Sequence, residues 1–307
     1  MRIAVPDLIS NSYFPAVAAV ELGFFKDEGL DAELQLLFPV PKTMEALRDN
    51  ELDFVAGAAH ATLHAFPDWK GAKLLAALAQ NTYWLLVLRS DLGAELGDIQ
   101  AVKGLRIGAA PGPDSTLLRM LTEAGIDLEK DHVDVGPVPG STGAGVSFGV
   151  NAAHALEEGA FDGFWANAMG SEIAVRNGAG TVVLDVRRGI GPPSAQHYTF
   201  PALVTSDEMI ARDPESVRAA VRAIVNVQKA LRADPSLAAK VGERLFPPME
   251  AGMISGLIER DLPFYDPGIS EDAVSGMNQF ARDIGLLTKD VPYDQVVASQ
   301  FSSLWSE

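Results

Sequence analysis

Short apolar runs alternate with polar, glycine- and proline-bearing loops through the first two thirds of the chain. Arg2–Val5 reads as a strand that ends at Pro6-Asp7. The polar loop Ser10-Asn11-Ser12 then precedes Pro15, which suits the first turn of a helix because the N–H it lacks has no intrahelical partner there. That helix is expected to run to about Phe25 and to stop near Gly29. Asp31–Leu37 reads as a second strand, with Ala32, Leu34 and Leu36 on one face and Leu37 breaking the alternation. Thr43–Asn50 reads as a helix, Phe54–Ala56 as a strand, Ala61–Phe66 as a helix, and Leu74–Ala79 and Trp84–Leu88 as strands. Alternation of this kind predicts parallel βαβ units.

The pattern restarts after a connector over Asp91–Val102. Leu105–Ala109 reads as a strand, the loop from Pro111 to Thr116 leads into a helix over Leu117–Ala124, and Val133–Val138 is strand-like. A glycine-rich stretch from Gly140 to Gly149 leads into a helix over Val150–Glu158. Gly163–Trp165 is a brief strand, followed by a helix to Arg176 and a strand over Thr181–Val186. From Asp213 the chain turns predominantly helical, with Asp213-Pro214 opening a helix and turn signals near Asp234-Pro235, Pro247-Pro248 and Pro267-Gly268. Two βαβ-type blocks in succession imply two α/β lobes, without solenoid repeats or low-complexity tracts.

The strands of both blocks end in loops that lead into helix N-termini, over 6–14, 38–43, 56–61, 110–116, 137–150 and 164–168. In open α/β sheets ligands bind beyond the carboxyl ends of the strands, where helix N-termini offer free N–H groups. Two lobes presenting such loops to each other would enclose a cleft, which serves a binding protein as well as an enzyme.

Composition narrows the partners. The chain carries 24 Lys and Arg against 41 Asp and Glu, a formal net charge of −17. That balance repels phosphate backbones and anionic headgroups, so neither nucleic acid nor membrane insertion is expected. No apolar run approaches the roughly 20 residues of a membrane span. There is no cysteine, which removes disulfides, Cys-zinc sites, Fe–S clusters and thiol nucleophiles together. Met1 opens directly on the first strand, with no charged n-region, apolar h-region or cleavage site before it. The chain is therefore expected either to be made in the cytosol or to have lost a signal peptide. With no Walker A loop, GxGxxG fingerprint or EF-hand in the sequence, no cofactor is expected.

The segment Gly23-Phe24-Phe25-Lys26-Asp27-Glu28-Gly29-Leu30 resembles the signature that follows the first helix of type II periplasmic substrate-binding proteins. The similar branch binds nitrate, taurine, alkanesulfonates and thiamine-pyrimidine precursors. Glu45-Ala46-Leu47 with Glu51-Leu52-Asp53-Phe54, and Val102 to Gly108, resemble later steps of the same pattern. So do Ala155-Leu156 with Gly159 to Trp165, and Gly285-Leu286-Leu287 with Pro292-Tyr293. The order and spacing of these motifs cover essentially the whole chain. The resemblance implies an α/β, two-lobed fold, each lobe a mixed, mostly parallel sheet flanked by helices. It implies lobe I over 1–88 plus 202–307 and lobe II over 89–201, with hinge crossings near Leu88 and Pro201. It further implies a monomer that delivers a small-molecule ligand to an ABC permease, periplasmic by family and cytoplasmic if Met1 is the native start. Two departures fall at the expected cleft. Trp165 is followed by Ala166-Asn167 where the family carries an acidic residue, and the 140–149 stretch is unusually rich in glycine.

Each candidate residue has a functional and a structural reading. The resemblance places Ser10, Asn11, Ser12, Tyr13 and Phe14 in the cleft, against an N-cap with packing as the alternative. Phe38 and Lys42 follow the second strand, although a lysine beside a helix start is often only solvated. Gly57, Ala58 and His60 follow the third strand, and imidazole donates, accepts or titrates near neutrality. His64 lies one helical turn on, but a His60/His64 metal pair lacks a third ligand, so no metal is expected. Ser115 and Thr116 would hold an oxyanion at a helix N-terminus, or else Asp114 or Ser115 simply caps the helix. Trp165 and Asn167 combine an aromatic wall with an amide, with tryptophan in the lobe core as the alternative. Gly145-Val146-Ser147-Phe148-Gly149 matches the GxSxG nucleophile elbow, but no strand directly precedes it, and nothing in the sequence positions His154 or His197 as its base.

The favoured reading is a solute-binding protein, without catalysis, for a small polar molecule of aromatic or heteroaromatic character. The candidate walls Tyr13, Phe14, Phe38 and Trp165, with few cations among them, argue against a doubly charged anion. The alternative is a cytosolic enzyme on the same fold. Of the enzymes the resemblance brings in, the sulfinate desulfinase type needs a cysteine nucleophile and the pyrimidine synthase type a cysteine-rich iron motif, and this chain has no cysteine. A lyase or decarboxylase using His60 stays open, as does a ligand sensor with a protein partner.

Overall fold

The computed structural model describes residues 1–141 and 147–306. Ten strands occur among them: β1 (Arg2–Val5), β2 (Glu33–Leu36), β3 (Phe54–Ala58), β4 (Ala72–Ala77), β5 (Leu85–Arg89), β6 (Arg106–Ala109), β7 (Asp134–Gly136), β8 (Gly163–Ala166), β9 (Gly180–Asp185) and β10 (Pro201–Ser206). They form two five-stranded sheets, ordered β2-β1-β3-β10-β4 and β7-β6-β8-β5-β9. In the first sheet β1 runs parallel to β2 and β3, while β10 lies antiparallel between β3 and β4. The second sheet repeats the scheme, with β6 parallel to β7 and β8 and β5 antiparallel between β8 and β9. Each sheet is thus mixed, with one reversed strand, and the α/β architecture read from the sequence is the observed one.

The chain divides into two units, Met1–Gln80 with Thr199 onward, and Asn81–Tyr198. The first boundary lies eight residues ahead of the crossing expected near Leu88. The reason is β5, which a 1–88 lobe would have claimed but which pairs on both flanks inside the second sheet. At the return, Thr199 and Phe200 also belong to the first unit, just ahead of the expected boundary. Strand β10 was not among the strands expected from the pattern. All six of its residues are buried, so it lacks the alternation that marks a half-exposed strand.

Helix starts follow local chemistry. Pro15 stands in the first turn of the helix Phe14–Glu21, and Pro214 opens Pro214–Ala233, whose preceding Asp213 accepts from the Ser216 N–H at 3.1 Å. The first helix stops at Glu21, short of the expected Phe25, because Gly23 takes a left-handed φ of 87° and a separate turn follows over Phe24–Asp27. Glu28 of the same motif accepts from Arg222 Nε at 2.6 Å and Asn226 Nδ2 at 3.2 Å, tying this turn to the long helix. In the second unit the helix starts at Asp114, three residues earlier than expected. Among the described residues no helix is long and apolar enough to cross a membrane.

Candidate functional site

In each sheet the strand order reverses around the first of its mutually parallel strands, at β1/β3 in the first unit and β6/β8 in the second. Those switch points are where an open α/β sheet receives ligand, beyond the strand carboxyl ends. Both fall among the loops that the sequence pattern marked.

In the first unit β1 leads into Ser10-Asn11-Ser12-Tyr13, all buried. The Ser12 N–H donates to Ser10 Oγ at 3.4 Å. Phe14 is fully buried and meets Phe246 edge-to-face at 6.4 Å, which is a packing role. Asn11 donates through Nδ2 to Asp261 Oδ2, and its main-chain carbonyl accepts from the Tyr265 hydroxyl at 2.8 Å. Asn11 Oδ1 and Ser12 Oγ are buried without a hydrogen-bond partner among the described residues. Phe38 is half-buried and Lys42 is exposed in the first turn of the helix Val40–Arg48.

Gly57 and Ala58 lie inside β3, which runs two residues beyond the expected Ala56. A Cβ on Gly57 would come within 3.2 Å of Met44 and Val40, so this glycine lets a helix approach the strand. His60 follows β3 and is buried, its N–H donating to Thr199 Oγ1 at 3.4 Å. Its ring stands edge-on to Phe280 at 5.3 Å, and neither ring nitrogen has a partner among the described residues. Burial first, and the neighbouring His64 second, push its pKa down to about 3, so it is neutral at pH 7. His64 is exposed.

In the second unit the helix start is built by its own side chains. Asp114 Oδ1 accepts from the N–H groups of Gly112 (2.9 Å) and Ser115 (2.8 Å), and Ser115 Oγ donates to the Gly112 carbonyl at 2.6 Å. Thr116 Oγ1 donates to the Pro113 carbonyl at 2.6 Å and accepts from Trp165 Nε1 at 3.0 Å. Asn167 Oδ1 caps the helix Ala168–Arg176, accepting from the Met169 and Gly170 N–H groups at 3.1 and 3.3 Å. Trp165 is buried in β8. The structural alternatives thus account for the recorded polar contacts of Ser115, Thr116 and Trp165.

Several buried residues linked to these loops through side-chain contacts stand outside the set predicted from the sequence. Tyr83 and Trp84 lie 4.3 Å apart, and Trp84 is 6.3 Å from Trp165, which extends the aromatic wall. Arg187 sits over the Tyr83 ring at 5.8 Å and is itself buried. Asp261 and Tyr265, the partners of Asn11, are also buried. A signal existed for Asp261. It falls on the apolar stripe of the helix Pro248–Asp261 with Met253, Ile254, Leu257 and Ile258, and a carboxylate there needs a partner. Of the GxSxG match, Gly145 and Val146 lie outside the described residues. Ser147 directly precedes the helix Phe148–Glu157, and His154 and His197 are exposed.

The NMT1/THI5-like family model matches residues 10–238. The chain belongs to this family. No curated protein matches it in sequence. Among solved structures it is similar to a protein of Bordetella bronchiseptica RB50 (TM-score 0.78, 19% identity, 99% of this chain and 96% of that one). It is also similar to the alkanesulfonate-binding protein SsuA of Xanthomonas axonopodis pv. citri, bound to MOPS (TM-score 0.68, 14% identity, 98% and 96%). A third similar structure is the desulfurization enzyme DszB, as a cysteine-to-serine mutant with biphenyl-2-sulfinic acid (TM-score 0.69, 16% identity, 99% and 98%). At these identities the likeness establishes a shared fold. A member of the NMT1/THI5-like family therefore shares its architecture with both a binding protein and an enzyme, and its own side chains must separate the two.

Proposed function

We propose that this protein is a solute-binding protein that captures a small polar molecule, aromatic or heteroaromatic in character, for uptake through an ABC permease in the periplasm. Binding is non-covalent, the protein acts as a monomer, and no bond is made or broken. The observation that carries this reading is the set of buried polar atoms beyond β1 and β3. Asn11 Oδ1, Ser12 Oγ and both His60 nitrogens have no partner among the described residues. Buried polar groups are normally satisfied, and a ligand with matching groups would satisfy these. The aromatic set Tyr83, Trp84 and Trp165 in the second unit supports a ligand with a flat face. Family membership and the likeness to an alkanesulfonate-binding protein support the binding role.

Against the enzyme reading, His60 is packed edge-on to Phe280 and held neutral, an arrangement suited to fixed hydrogen bonding more than to proton transfer. The test is a thermal-shift screen of the purified protein against a library of small metabolites. Calorimetry and chromatographic recovery of each hit follow. Saturable one-to-one binding with the compound recovered intact is expected. Conversion of a hit in molar excess over protein, abolished by His60→Ala in a folded variant, would establish the enzyme instead.

A further inference from the structure

The buried Asn11 side chain is held in one orientation by a segment more than 240 residues away, in the same unit. Its Nδ2 donates to Asp261 Oδ2 at the C-terminal end of the helix Pro248–Asp261, and its main-chain carbonyl accepts from the Tyr265 hydroxyl at 2.8 Å. Asp261 and Tyr265 are 1% and 0% exposed. A carboxylate offers only lone pairs, so the amide must turn its nitrogen toward Asp261. The opposite end of the amide, Oδ1, is thereby fixed as an acceptor, and no donor among the described residues reaches it.

Asp261 itself is buried behind the amide, with Arg260 Nε 3.7 Å from its Oδ1. An oxyanion brings only lone pairs, which Asn11 Oδ1 cannot bond. A group with an N–H or O–H meets the opposite circumstances.

Resting on the binding-protein reading above, we propose that Asp261 and Tyr265 are positioning residues. They lock Asn11 as a hydrogen-bond acceptor and so select ligands carrying an N–H or O–H donor over sulfonate- or nitrate-like oxyanions. The site is accordingly the reverse in polarity of one built to hold an alkanesulfonate headgroup.

Three probes of matched ring size test this by calorimetry: benzamide, acetophenone, which replaces the amide NH2 with methyl, and benzenesulfonate. The wild-type protein is expected to bind benzamide at least about tenfold tighter than acetophenone, with benzenesulfonate weakest. In D261N the partner at 261 both donates and accepts, so the Asn11 amide is free to flip. The benzamide preference is then expected to shrink to about threefold or less, with the circular dichroism spectrum unchanged. Loss of packing alone would weaken both probes together and leave their ratio intact. If D261N does not fold, Y265F carries the variant test, because it keeps the Asp261 contact and frees only the main chain. It is expected to shrink the benzamide preference without abolishing it, and a ratio unchanged from the wild type would remove Tyr265 from the clamp. Equal binding of benzamide and acetophenone by the wild type, benzenesulfonate outranking benzamide, or D261N keeping the tenfold ratio would each overturn the proposal. Failure of all three probes would overturn it as well, while a hit elsewhere in the metabolite screen would leave the binding-protein reading standing.

Discussion

His60 shows how one residue couples the site to stability. Its imidazole is buried against Phe280 with a pKa pushed down to about 3, whereas in an unfolded chain it titrates at about 6.5. Between those values the unfolded chain takes up a proton that the folded protein refuses. Stability therefore falls as the pH falls through this window, by up to about 1.4 kcal/mol per pH unit. Above about pH 6.5 the residue adds no slope, and its effect is complete once the pH drops below about 3. Carboxylates titrate over part of the same range, so the comparison must be with a variant that lacks only the imidazole. In H60L the loss of unfolding free energy between pH 7 and pH 4.5, from urea titrations, is expected to be about 2–3 kcal/mol smaller than in the wild type. Equal losses in the two proteins would show that the imidazole is not held neutral in the fold. The same residue marks what the sequence can disclose. That His60 follows a strand was legible, but its burial against Phe280 depends on a helix 220 residues away, beyond the reach of local pattern. Asn11 is a parallel case, since its loop was legible and its clamp by Asp261 and Tyr265 was not.

At the scale of elements, the helices Phe148–Glu157 and Ala168–Arg176 meet where two glycines face each other. A Cβ on Gly170 would lie 2.2 Å from the Gly149 carbonyl oxygen, which is backbone and cannot step aside. G170A is therefore expected to lose about 1–3 kcal/mol in urea unfolding, as overpacked contacts do. Gly252 offers the control, because it sits in the helix Pro248–Asp261 with nothing within 4 Å of a built Cβ. G252A is expected to gain about 0.5–1 kcal/mol from helix propensity. Opposite signs test the packing argument, and a gain at both positions would remove it. The glycine-rich run before this helix stood out in the sequence, yet the use of Gly149 follows only from the neighbouring helix. Proline-led helix starts and short strands were legible because their determinants are local. Strand β10 was not, because a strand buried on both faces shows no period-two alternation. The hydroxyls of Ser115 and Thr116 were legible as candidates, but not as groups bonded back into their own loop and to Trp165.

For the whole molecule, the chain path decides which part can stand alone. Every strand of the second sheet, β5 to β9, comes from the continuous segment Asn81–Tyr198. The aromatic cluster of Tyr83, Trp84 and Trp165 comes from the same segment. Its two ends are also fastened within it, since the Thr82 N–H donates to the Gln196 carbonyl at 2.9 Å and the Tyr198 hydroxyl donates to Glu123 Oε2 at 2.6 Å. Burial and the Glu123 hydrogen bond raise the Tyr198 pKa, so the phenol stays protonated and the bond persists at neutral pH. The first sheet is built differently. Its β10 arrives after the excursion through the second unit and inserts between β3 and β4. Without β10, β4 loses its neighbour in the sheet, and the buried β3 becomes an edge with unpaired N–H and C=O groups. A fragment of residues 81–198 is thus expected to fold by itself, with native-like far-ultraviolet circular dichroism and a single sigmoidal urea transition. A fragment of residues 1–80 is expected to show neither. An unfolded 81–198 fragment would mean that the second sheet depends on the rest of the chain. A cooperative 1–80 fragment would mean that β10 is dispensable to the first.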